Sequence, residues 1–233
     1  DVWSKEGEIM NYIVLITEIL LTFFLIFLAY KMGKKDGLYL GIGLFSSILC
    51  VMLFKMINMF DFDVNMGIPF IMGILLLNNI IIHRYGFDEI TRILRTFGIA
   101  YILTYMVIMI TTLTIGSKYN LASNDSYNLL FGYDLSNIRY FVGGLLSIGM
   151  IIWMGSNVYD NIRKNKNNII FNNVGSILVV LFIESIIFVS IAHIGNYTVV
   201  ELFGMIVIRY LIEVVIGLLG LIPVYLIVKR KDK

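Results

Sequence analysis

The chain has 233 residues, of which 59% are hydrophobic and 15% charged, with a formal net charge of +2 and a mean hydropathy of +0.87. A soluble domain carries roughly 25% charged residues, so a water-soluble globule is excluded, and no basic groove for nucleic acid is evident. The single cysteine, Cys50, excludes an intramolecular disulfide and a Cys-based zinc site.

Residues 1–9 are expected to be an extracellular lead or a cloning remnant, and residues 10–233 a single integral-membrane domain. Seven apolar runs follow: Tyr12 to Tyr30, Leu38 to Phe54 with an extension to Phe60 left open, Met66 to Ile82, Phe97 to Ile115, Tyr140 to Val158, Val174 to Ile194 and Met205 to Val228. At 1.5 Å per residue, about 20 such residues cross a hydrocarbon core of roughly 30 Å. The expected fold is therefore all-α, a polytopic membrane bundle of about seven transmembrane helices.

Orientation follows from the basic residues. Lys31, Lys34 and Lys35, then Arg84, Arg92 and Arg95, then Arg163, Lys164 and Lys166, and finally Lys229, Arg230, Lys231 and Lys233 hold thirteen of the eighteen. All lie on alternate connections, which predicts the N-terminus outside and the C-terminus in the cytoplasm of a multi-pass protein in the cell membrane. The long outer connection, Gly116 to Asn137, reads as a surface loop with one re-entrant or interfacial turn, with a substrate lid as the alternative. Asn196 to Phe203 reads as a short interfacial segment.

Charges at membrane depth cost at least about 2.5 to 3.5 kcal/mol each, so those that remain are functional candidates. Glu184 lies at the centre of the sixth run and must be paired, hydrated or protonated; substrate or proton contact and a structural interhelical bond are both open. Arg209 and Glu213 are four residues apart on one helical face, which continues to Gly217 and Gly220, and that stripe is expected to face protein. The pair either lines a cavity or merely lowers the cost of insertion. Pro223 lies beyond, where a kink would free carbonyls.

Asn78 and Asn79, near the end of the third run, offer mixed donors and acceptors suited to the edge of a neutral heterocycle, or to gluing helices together. His83 and His193 fall at opposite ends of the bundle, so no metal site is expected. Glu18, beside Thr17 and Thr22, is a weaker candidate for a bond across helices; Lys55 can snorkel; Asn157 and Asp160 could cap or end the fifth span. No zinc-protease motif, nucleophile elbow or phosphate loop is present, so an enzyme is not expected and no cofactor is implied.

Four segments, "LAYKMGKKDGLYLGIGLFSSIL", "LLLNNIIIHRYGFDEITRILRTFG", "FNNVGSILVVLFIESIIFVSIAH" and "RYLIEVVIGLLGLIPVYLIVKRK", together resemble the VUT family of vitamin-uptake-like, or queuosine precursor, transporters. The family's Thr-Asp before a Tyr-Gly pair corresponds to Asn78-Asn79 before Tyr85-Gly86. Its Arg-Asn-Asn-x-Ser-Thr motif corresponds to Phe171, Asn172, Asn173, Val174, Gly175 and Ser176, and its following acidic residue to Glu184. The chain departs from the pattern where Glu213 replaces a lysine, with Arg209 one turn earlier, and where a fifth-span glutamine and aspartate have only Asn157 and Asp160 nearby. These departures leave open a changed substrate or a diverged paralogue.

The resemblance implies a six-helix core similar to the substrate-binding subunits of energy-coupling-factor transporters, plus one N-terminal helix, and uptake of a 7-deazaguanine-type base or related small heterocycle. Asn78, Asn79 and Glu184 are then the expected recognition residues, with Arg209 and Glu213 completing or gating a shared polar chamber. The alternatives are a substrate-capture subunit that needs a separate ATPase module and a structural or regulatory membrane subunit without substrate. Expected partners are a small-molecule substrate and the lipid bilayer, with a homo-oligomer possible and no nucleic acid.

Overall fold

The computed structural model describes every residue except Asp1, Asp61, 115–120, 166–167 and 230–233, and gives no side-chain placement for 2–8 and Leu121. Lys166, Arg230, Lys231 and Lys233, used above for orientation, therefore lie outside the described residues.

Helix α1 (Val2–Met52) is two helices in one, because Lys34 takes φ 45° and ψ −116°. The two arms run back along each other. A Cβ at Gly41 would lie 3.5 Å from that of Ala29, whereas twelve residues of straight helix span about 18 Å. Only glycine fits the inside of this bend at Gly37, where a Cβ would come 1.9 Å from the Ala29 carbonyl oxygen. Further down the pair, Thr22 from one arm and Phe45 from the other both close on Gly73.

A short antiparallel hairpin follows, β1 (Met56–Met59) paired with β2 (Phe62–Asn65), with Phe60 at φ 54° in its turn. The left-open extension of the second span to Phe60 is thus corrected: the helix stops at Met52, Leu53 and Phe54 form a turn, and Met56, Ile57 and Met59 belong to β1. The Asn65 side chain accepts from Gly67 N–H at 3.0 Å and leads the chain into α2 (Ile68–Tyr85), with Pro69 in its first turn. That position suits a residue that lacks an N–H.

Helix α2 is the axis of the molecule. Every residue from Ile68 to Ile82 is buried, as expected for a largely apolar helix packed on all sides, and Asn78 and Asn79 are buried with the rest. A 3₁₀ turn (Phe87–Glu89) leads to α3 (Ile90–Thr112), then α4 (Leu121–Phe131), α5 (Leu135–Asn165), α6 (Ile169–His193), α7 (Val199–Leu219) and α8 (Leu221–Lys229). Six helical stretches among the described residues are long and apolar enough to cross a bilayer. The first is folded on itself at Lys34, so the chain makes seven crossings. Its N-terminal arm is peripheral, only 17% of its most apolar window being buried against 83% for α2.

Two connections differ from expectation. The stretch read as an outer loop contains α4, whose Phe131 packs edge-on against Phe54 with ring centroids 5.2 Å apart. The segment 196–203 is not an interfacial piece of its own: Thr198 caps α7 and exchanges hydrogen bonds with Glu201 in a capping box, because that pairing satisfies N–H groups left open at the helix start. The seventh span ends its first part at Gly220 and restarts as α8 with Pro223 in its first turn. Gly217 and Gly220 do face protein, with room for no side chain against Met72 and Leu76.

Candidate functional site

Three ionisable side chains meet inside the bundle. Arg209 of α7 donates from Nη2 to Glu184 Oε1 at 2.8 Å and from Nε to Glu184 Oε2 at 3.2 Å, a two-pronged pair with α6. One turn along α7, Glu213 Oε1 stands 3.0 Å from the same Arg209 Nε. That Nε–H is directed at Glu184, so Glu213 Oε1 gains Coulomb attraction without an aligned hydrogen bond. Its other oxygen accepts from Ser185 Oγ at 3.2 Å.

Glu184, Arg209 and Glu213 are 1%, 4% and 0% exposed. The guanidinium also lies over the ring of Phe188, 4.2 Å from its centroid, a cation–π contact that is stronger when dry. Counted as ionised, two carboxylates and one guanidinium leave a net charge of −1.

The hairpin covers one end of this triad. A void of about 10 Å³, lined among others by Asp63, Asn65, His193 and Arg209, separates Arg209 from β2; that is the room of a single water. Tyr197 Oη donates to Asp63 at 2.8 Å and fastens the hairpin to the turn before α7. Burial and the neighbouring Asp63 carboxylate push the Tyr197 hydroxyl up to about 12. Phe62 presses on Gly204 of α7 so closely that any Cβ there would collide with its ring. Asp63 and Tyr197 were not among the expected site residues. The signal for Asp63 lay in the alternation Phe62-Asp63-Val64-Asn65, which is a strand pattern; Tyr197 had none.

The amides form a second group. Asn78 Oδ1 accepts from Ser156 Oγ of α5 at 3.0 Å, and Asn79 Nδ2 donates to Asn173 Oδ1 of α6 at 3.0 Å. Both asparagines are fully buried. Around them, Tyr159 Oη meets His83 Nδ1 at 2.8 Å, and Asp160 pairs with Arg163 and Lys164. Arg163 in turn donates to the carbonyls of Ile82 and His83 that end α2.

The five expected residues therefore fall into two clusters and not around one open chamber. Helix α6 carries both, with Asn173 and Glu184 eleven residues apart, about 17 Å along the axis; Ile177, Val180 and Leu181 fill the stretch between. Of the weaker candidates, Thr17 bonds back to Ile13, while Glu18 Oε2 and Thr22 Oγ1 make no hydrogen bond. Lys55 is exposed, and Asn157 bonds back to Trp153. No group of three His, Cys, Asp or Glu side chains among the described residues is placed to hold a metal ion.

Seven crossings with charges sequestered inside an otherwise apolar bundle define a multi-pass helical membrane protein. Residues 65–228 match the family described as "Putative vitamin uptake transporter". The chain belongs to that family, a class of small-molecule transporters, and both clusters lie within the matched stretch. No curated protein and no solved structure matches it.

Proposed function

We propose that this chain imports a queuosine precursor of the 7-deazaguanine type, or a related small heterocycle, with its N-terminus outside and its C-terminus in the cytoplasm. Asn78, Asn79 and Glu184 recognise the base, and Arg209 with Glu213 completes or gates the path. The observation that carries this reading is the Glu184–Arg209–Glu213 triad held inside an otherwise apolar bundle. A buried ion cluster is a poor source of stability, since apolar residues of equal volume often do as well or better, so its presence at membrane depth favours a transport role.

A planar, polar, mostly uncharged base needs amide or carboxylate hydrogen bonds and shelter from lipid. The two clusters supply both. Since the void beside Arg209 admits one water and not a base, passage requires the hairpin to move off the triad and the helices beneath it to part. In this orientation the hairpin stands on the outer side, where a substrate arrives.

The test is uptake of a radiolabelled 7-deazaguanine base by a transport-deficient strain. Uptake with the chain expressed alone supports the reading; uptake only after an ATPase module is added identifies a capture subunit; none in either case removes the proposal.

A further inference from the structure

Four polar atoms at the junction of α2, α5 and α6 have no hydrogen-bond partner: Asn78 Nδ2, Asn79 Oδ1, and both Nδ2 and Oδ1 of Asn172. All three residues are 0% exposed. Leaving such a group unmade costs about 1 to 3 kcal/mol each, and natural interiors rarely tolerate several together. The second amide, Asn173, is spent on Asn79 and on the Ile169 carbonyl. Asn172 differs from it: the Tyr159 hydroxyl, which meets His83 at 2.8 Å, stands beside it but not in hydrogen-bonding geometry.

The charges nearby are already satisfied. Asp160 holds Arg163 and Lys164, and Arg163 holds the end of α2. What remains open is two N–H donors and two carbonyl acceptors, without a formal charge. Resting on the transport reading above, we infer that Asn172 joins Asn78 and Asn79 as a recognition residue, and that these amides bind the uncharged lactam edge of the heterocycle, its adjacent ring N–H and C=O.

A lactam edge presents a donor beside an acceptor, which one primary amide can match with both of its atoms. An adenine-type edge can also pair with Asn172 through its amino group and ring nitrogen, but it brings one donor group where a lactam with its exocyclic amine brings two, so one of the two open carbonyls, Asn79 Oδ1 or Asn172 Oδ1, stays unpaired. The ion triad does not touch this edge, since Glu184 lies twelve residues and about 18 Å along α6 from Asn172; Glu184 meets the base at a separate stage of its passage.

The test uses the purified full-length chain in nanodiscs, with thermal shift and binding measured against guanine and 7-deazaguanine, which carry the lactam, and adenine and 7-deazaadenine, which do not. The wild type is expected to respond to the lactam bases alone. Asn172→Leu is expected to keep or raise the unliganded midpoint, because no hydrogen bond is lost, and to weaken lactam binding by about tenfold or more. Should that variant fail to fold, Asn172→Ala is read in the same way.

Equal affinity in wild type and variant, or equal response to both kinds of base, overturns this inference while leaving the transport reading standing. A fallen unliganded midpoint in both variants makes Asn172 structural and also overturns it. A wild type that neither binds nor imports any of these bases removes the transport reading and this inference with it.

Discussion

Arg209 grips Glu184 across the α6–α7 interface with both Nη2 and Nε, at 2.8 and 3.2 Å. This pair joins a helix that carries the buried amides to one that carries the second carboxylate, so it sits where movement of either helix must be felt. Removing one member of such a buried pair costs about 3 to 5 kcal/mol, because the other is left uncompensated. Arg209→Met should therefore lower the thermal midpoint of the detergent-purified protein strongly. The combination Arg209→Met, Glu184→Gln and Glu213→Gln should recover most of it. An unchanged midpoint for Arg209→Met alone would show that the pair is not formed in solution.

The hairpin is expected to move during transport. Asp63→Cys with Tyr197→Cys, bridged by a short bifunctional thiosulfonate, should stop uptake, and reduction should restore it. Cys50 is buried and will not compete for the reagent. Full uptake in the bridged protein would mean that substrate does not pass beneath the hairpin.

The Tyr197–Asp63 bond also sets a pH expectation. The Tyr197 hydroxyl is raised to about 12 in the folded protein against about 10 in an unfolded chain, so its contribution is fully present below pH 10 and is lost as pH rises through 12. Both groups are half-exposed, and the bond is discounted to about 1 kcal/mol for solvent screening. Tyr197→Phe should accordingly lower stability by the same small amount at every pH from 6 to 9. A penalty that changes across that range would assign the effect to another group.

Close helix packing supplies a matched pair of variants. A Cβ at Gly217 would stand 2.8 Å from Met72 Cε and 3.1 Å from Ile177 Cγ2, whereas one at Gly149 meets nothing within 4 Å. Gly217→Val should cost about 1 to 3 kcal/mol by overpacking. Gly149→Ala should cost nothing measurable, and the two are compared by thermal unfolding in the same detergent.

The spans were legible because crossing a bilayer demands a length of apolar chain that few other structures need. The Arg209, Glu213, Gly217 face was legible too, since residues four apart share a helical side whatever the tertiary fold. Periodicity does not say which neighbouring helix that side meets, so the bridge from Arg209 to Glu184 and the separation of Asn78 and Asn79 from both could not be read. The hairpin was hidden for a different reason. Met56, Ile57, Met59 and Phe62 continue the hydrophobicity of the preceding helix, and membrane-length arguments do not distinguish short strands from a helix end. Asn78 and Asn79 were read as recognition or as glue, and their bonds to Ser156 and Asn173 show the glue, with one atom of each left over.

The most direct test of the account is initial-rate uptake of a radiolabelled 7-deazaguanine base by cells expressing the wild type, Glu184→Gln or Glu184→Ala at equal membrane levels. Both variants should reach the membrane, and both should lose at least about nine-tenths of the wild-type rate, a change of 1.4 kcal/mol or more. A wild-type rate in Glu184→Ala would contradict the account by taking the buried carboxylate out of the transport path.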